Sequence, residues 1–136
     1  MKKIFLLILA TSLAAGIAFA QELSPEEMLN KAIELANSGN EAFEAGSPEL
    51  ALEAFTQSLD FATKAGEIGA EHVGTCKTAI CNIYQKIAKD HYRAQEWDKA
   101  VEAFNKAKEI ATQYECADIV AEADELLINT KANQLK

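Results

Sequence analysis

Apolar residues recur at steps of three and four through most of the chain, the spacing that lines one face of a helix. The first such series is Met28, Ala32, Leu35, Gly39 and Ala42, which opens after Ser24-Pro25-Glu26-Glu27 and ends at Gly46. The second is Ala51, Phe55, Ser58, Leu59 and Ala62, which opens after Ser47-Pro48-Glu49-Leu50 and ends at Gly66. Both openings carry the chemistry of a helix start. Serine accepts from exposed N–H groups, proline takes the first helical position at no cost, and acids favour the positive end of the dipole. Glu27, three residues after Ser24, completes a capping box. The pattern predicts an antiparallel helix pair over about residues 25–66, joined by a tight turn.

Gly66, Gly69 and Gly74 cluster next and predict a bend. Beyond Gly74 there is neither glycine nor proline. Val73, Cys76, Ile80, Tyr84, Ile87 and His91 form the stripe of a long third helix, and the polar turn Ala94-Gln95-Glu96 leads to a fourth carrying Ala100, Phe104, Ala107 and Ala111. The second pair spans about residues 70–114, and an end helix over about 117–131 is marked by Ile119, Ala123, Leu126 and Leu127. No alternating run suggests a strand, so the fold class expected is all-α.

The two pairs are copies of one unit. Glu49-Leu50-Ala51-Leu52-Glu53-Ala54-Phe55 aligns with Asp98-Lys99-Ala100-Val101-Glu102-Ala103-Phe104 at an offset of 49 residues. Repeated helix pairs imply a stacked solenoid, each unit burying its apolar face on the next. Gly39-Asn40-x-x-Phe43-x-x-Gly46, followed by Ala51, Phe55 and Leu59, resembles the tetratricopeptide repeat in spacing and residue type. In the second copy Ala88, Tyr92, Gln95, Trp97, Ala100 and Phe104 stand at the matching places. The resemblance implies a helix-pair solenoid of about two repeats plus an end helix. The offset exceeds the usual ~34 residues, and the proline that often closes a unit is missing from both copies, so the helices are expected to be longer than the family's.

Charge and the chain's start narrow the function. Met1-Lys2-Lys3, an apolar run from Ile4 to Ala15 and Ala18-Phe19-Ala20 have the order of a secretory signal. Residues 1–20 are read as a cleaved signal peptide and residues 21–136 as one exported helical domain with no stable membrane anchor, in a periplasm or outside the cell. Loss of Lys2 and Lys3 takes the formal charge from -8 to -10. Such acidity argues against nucleic acid, whose binding depends on neutralising phosphates with lysine and arginine.

Candidate chemistry is sparse. None of Cys-x-x-Cys, His-x-x-x-His or His-Glu-x-x-His occurs, and His72 and His91, on one expected helix, are about 28 Å apart. No metal or cofactor is therefore expected, and no enzyme activity. His72 and Cys76 are four residues apart and could face one another, but Glu67 and Glu71 flank them, whereas a reactive thiol needs an electropositive setting. Of the three cysteines, Cys76 and Cys81 lie five residues apart on one helix, about 7.5 Å along its axis and too far for a disulfide. Cys116 can bridge either one, and the simplest reading leaves all three as buried thiols. Asp118, Glu122, Asp124 and Glu125 read as a solvated helix face.

What remains is a binding surface. In the family the first helix of each pair lines a concave groove. The matching positions here are Ile33, Ala36, Asn40, Phe43 and Glu44, then Asn82, Gln85, Lys86, Lys89, Tyr92 and Arg93. Asn40 matches an asparagine that some members use on a peptide backbone or carboxylate, but the lysine expected four residues earlier is Ala36. Lys86, Lys89 and Arg93 fall at i, i+3 and i+7 on one stripe. The function expected is non-catalytic: an adaptor holding a protein or peptide partner of acidic character through Asn40, Phe43, Gln85, Lys86, Lys89, Tyr92 and Arg93. The second expectation is a homo-oligomer, since a short solenoid leaves its ends unsealed.

Overall fold

The structure, a computed structural model, describes residues 22–136, so the leader expected over residues 1–20 lies outside the described residues. Five helices follow one another: α1 (Pro25–Glu44), α2 (Pro48–Lys64), α3 (Ala70–Arg93), α4 (Trp97–Gln113) and α5 (Ala117–Gln134). Among the described residues there is no strand, and no helix is long and apolar enough to cross a membrane. The bend between the pairs is one 3-10 turn, Gly66–Gly69. Gly74, expected to belong to it, sits inside α3, where a lone glycine weakens a helix without ending it.

The first helix starts as its sequence dictates. The Ser24 hydroxyl accepts from the Glu27 N–H at 3.2 Å, and the Glu27 carboxylate accepts from the Ser24 N–H at 2.7 Å. Ser47 does not repeat this, because its backbone closes the preceding turn and its side chain caps nothing. That turn is a Schellman motif: the Ser47 N–H donates to the Ala42 carbonyl at 2.9 Å and the Gly46 N–H to Phe43 at 3.1 Å, with Gly46 at φ +79°. The same motif recurs between α3 and α4, where Glu96 donates to His91 and Gln95 to Tyr92, and between α4 and α5, where Cys116 donates to Ala111 and Glu115 to Thr112. Gln95 and Glu115 hold φ of 60° and 58°. Gln95 thus does the work of Gly46 at the corresponding place, which supports the alignment of the two units.

Helices meet through small residues. A Cβ on Gly39 would lie 2.8 Å from the Phe55 ring, so the absent side chain is what lets α1 close on α2. Ala88, the counterpart of Gly39, is fully buried, as are Ala51 and Ala100. Phe55 fills the space among Ala36, Ala51, Cys76, Ile80 and Ile83, while Phe104 fills that among Ala88, Ala100 and Leu127. Each phenylalanine wedges its own pair against the helix that follows.

The stack is a helical-repeat arrangement. α1 packs on α2, α2 on α3, α3 on α4 and α4 on α5; α3 meets α1 and α5 only narrowly, and α1 does not approach α4 or α5. The buried residues of α3 are Cys76, Ile80, Cys81, Ile83, Gln85 and Ala88. This differs from the expected stripe, in which Tyr84, Ile87 and His91 took part; these three are half-buried. Lying between α2 and α4, α3 buries more than one face, which a single stripe cannot describe.

Replacing either wedge with alanine leaves a cavity where a large ring stood. Phe55→Ala and Phe104→Ala are each expected to lose about 3–5 kcal/mol in urea denaturation, and a loss under about 1 kcal/mol at either would refute the wedge role. Gln95→Gly is expected to gain up to about 1 kcal/mol, since only glycine takes a left-handed backbone without strain; a loss would place Gln95's side chain in an interaction that outweighs the strain.

Candidate functional site

The first helices of the pairs carry two adjoining clefts. Asn40 and Phe43 on α1, Phe55 on α2, and Ala79, Asn82 and Ile83 on α3 line one of about 180 Å³. Asn82, Gln85, Lys86, Lys89 and Arg93 on α3, with Glu122 on α5, line the other, of about 320 Å³. Asn82 lines both, so the two adjoin along α3 as a groove that reaches α1 on one side and α5 on the other. Six of the seven expected site residues lie along it.

Tyr92 does not. Its ring meets Trp97 edge-on at 5.5 Å and Phe104 at 6.4 Å between centroids, in the apolar cluster of the second pair. Tyr92 is the counterpart of Phe43, and both are half-buried, but only Phe43 lines the groove. Ala36, also placed in the groove by resemblance, belongs to the core beside Phe55.

The basic stripe is paired with acids. Lys86 Nζ lies 2.9 Å from Asp90 Oδ2, and Arg93 Nη1 lies 3.2 Å from Asp90 Oδ1, so one carboxylate serves two cations. Lys89 pairs with Glu122 across the groove, and this contact above all holds the Glu122 carboxyl below its usual range. Three cations therefore face two carboxylates, which leaves a small positive excess in place of the unopposed strip expected from spacing. Arg93 is the freest, with 69% of its side chain exposed. Asp124 reaches Lys108 at 2.6 Å, so Glu122 and Asp124, read as solvated face, in fact tie α5 to α3 and α4.

Gln85 is the exception among the groove's polar residues. It is 3% exposed, and among the described residues neither its amide nitrogen nor its amide oxygen has a hydrogen-bond partner. The amide lies near enough to Glu122 to help hold that carboxyl low, without reaching hydrogen-bond geometry. A buried amide without partners costs about 1–3 kcal/mol, and native proteins keep few of them. Its side chain lines the cleft, but the amide atoms themselves are covered, so a ligand meets them only when the side chain turns outward.

Two features were not legible in the sequence. His72 and Cys76 do not bond one another; both meet Ser58, at 3.0 and 3.2 Å. The Ser58 hydroxyl donates to the Ala32 carbonyl at 2.6 Å, so it accepts from His72 Nε2–H and from the thiol. Burial pushes the Cys76 thiol up. This ties α1, α2 and α3 and leaves the serine proton committed to a carbonyl. The second feature is a cleft of about 330 Å³ between α3 and α4, lined by Tyr84, Ile87, His91, Lys99, Ala103 and Lys106 among others. It lies on the side of α3 away from Lys86, Lys89 and Arg93, and its α3 positions are ones that the apolar period had assigned to the core. His91 Nδ1 meets Glu96 Oε2 there at 2.6 Å, and His91 followed by Lys99 holds the Glu96 carboxyl low.

Comparison of the chain with protein-family models, with curated proteins and with solved structures finds no match. Its class rests on its own fold: an all-α protein of helical-repeat arrangement with a groove across the first helix of each pair.

Gln85→Met keeps the volume and removes the unpartnered amide. It is expected to raise stability by about 1–3 kcal/mol in urea denaturation; an unchanged or lowered value would mean that the amide is satisfied in solution.

Proposed function

We propose that the chain is an exported, non-catalytic adaptor of tetratricopeptide-repeat type that holds an extended segment of a protein partner in the groove across α1, α3 and α5. The observation that carries this reading is that two clefts adjoin at Asn82 along the side of α3 that bears Lys86, Lys89 and Arg93. Asn40 and Asn82 add polar groups that suit a backbone, Phe43 adds apolar area, and Lys86, Lys89 and Arg93 add charge. The partner's acidic side chain exchanges with Asp90 for Arg93 and Lys86, so its attraction is modest and serves orientation more than affinity. Export is supported by the charged, apolar and small-residue order of residues 1–20.

A second reading, self-association, draws on exposed apolar residues of the end helix. Ile128 on α5 is 71% exposed and Leu135, just beyond its end, 89%, which leaves apolar area on the outer side of the chain's last segment. Concentration-dependent light scattering separates this reading from a monomeric adaptor.

The test is a series of labelled extended peptides, acidic and neutral, titrated against the full chain at several salt concentrations by fluorescence anisotropy. Acidic peptides are expected to bind more tightly, less so as salt rises. The triple variant Lys86→Gln, Lys89→Gln and Arg93→Gln is expected to weaken that binding about tenfold and flatten its salt dependence while keeping the helical fold. Equal binding by the triple variant across the series would overturn the groove assignment.

A further inference from the structure

The three cysteines divide into a pair and a single. Cys81 is fully buried at the middle of α3, and Cys116 is the half-buried residue immediately before α5. They are 35 positions apart in sequence, yet their sulfurs lie 2.8 Å from one another, less than an ångström beyond an S–S bond of about 2.05 Å. Cys76 takes no part: its sulfur meets Ser58.

The backbone presents Cys116 in this place. It closes the third Schellman turn, donating to the Ala111 carbonyl at 2.8 Å, and its own carbonyl accepts from Ile119 and Val120 at 3.1 Å. Cys81, Ala111 and Ile119 form a buried cluster around the pair, with Ile110, Tyr114 and Val120 packed against it. The thiols are therefore held together by folded structure on both sides, and joining them calls for little backbone movement.

We propose that Cys81 and Cys116 are an intramolecular disulfide site, oxidised by a low-molecular-weight disulfide, that staples α5 to α3 and leaves Cys76 reduced. Cys116, the more exposed, reacts first. Its thiolate attacks one sulfur of the oxidant, the oxidant's S–S bond breaks, one thiolate leaves, and Cys116 carries a mixed disulfide. Cys81 then gives up its proton and attacks the Cys116 sulfur, expelling the second thiolate as the Cys81–Cys116 bond forms. Two electrons and two protons leave the pair, and the oxidant becomes two thiols. Burial pushes the Cys81 thiol up, and this persists once Cys116 is in the mixed disulfide, so ring closure quickens as pH rises.

The bond does not depend on the groove having the function proposed above. One consequence does rest on that reading: α5 carries Glu122, the partner of Lys89, so fixing the start of α5 fixes one wall of the groove and lowers the ordering cost of binding.

The experiment uses the reduced full chain incubated with oxidised glutathione at about pH 8, then peptide mapping by mass spectrometry without reduction. The expected product is a monomer lighter by about 2 Da, for the two hydrogens lost, with a peptide linking Cys81 to Cys116 and Cys76 free. Its melting temperature is expected to rise by about 10 °C, reversibly with dithiothreitol. Cys76→Ala is expected to form the same link, and Cys116→Ser to form none and to gain no stability from oxidant. A link through Cys76, disulfide-joined dimers as the main product, or a pair that stays reduced or stops at the mixed disulfide under excess oxidant would overturn the proposal. Because the unmodified chain reports each of these, a variant that fails to fold does not weaken the test.

Discussion

Two helices can lie close enough to share one phenylalanine only if the residues at their crossing are small. Gly39 and Ala51 meet that condition in the first pair, Ala88 and Ala100 in the second. Everything else in the fold depends on this close approach. It sets Phe55 and Phe104 as wedges toward the following helix, and it places α1, α3 and α5 side by side as the lining of a groove. Larger residues at the crossings would push the pairs apart and leave the wedges short of contacts, which dispersion and burial both require.

Polar ties refine what the wedges establish. Ser58 joins three helices by receiving His72 and Cys76 while donating to Ala32. Lys89 with Glu122, and Lys108 with Asp124, draw α5 toward its neighbours. These ion pairs remain partly in water and contribute little stability individually. Their effect is on position: they hold the end helix at one rotation, where Glu122 rather than an apolar residue faces the groove. Gln85 contrasts with them, since its amide is buried near Glu122 without a hydrogen bond of good geometry.

Local order was legible and relative rotation was not. Helix ends followed from Ser24, Pro25, Pro48 and the glycines because capping and turn chemistry act within a few residues. The unit repeat was legible because Ala51, Phe55, Ala100 and Phe104 face the same packing problem twice. Ser47 misled because a serine before proline can serve either a cap or a turn, and backbone closure on Ala42 decided between them. Tyr92 and Gln85 were both expected in the groove and only Gln85 lines it: both lie on α3, but a helical period gives faces without saying which neighbour covers each. The pairing of Lys89 with Glu122 spans distant positions, and no spacing rule on α3 alone could have indicated it. For the groove, sequence supplied the side of the helix, while structure supplied its extent and charge balance.

The adjacency of each helix to its neighbours in sequence also gives the molecule a mechanical direction. Tension applied at the C-terminus loads the contacts of α5 with α4 and α3 and reaches no other helix directly. Once α5 is peeled away, α4 becomes the exposed edge, held by α3 alone, and the load passes along the stack one helix at a time. Contacts between distant helices, which make many folds brittle by sharing a load among all elements, are absent among the described residues. Under pulling, such a chain lengthens in helix-sized steps and recoils in the reverse order, behaving as a compliant spacer whose stiffness is set locally at each interface.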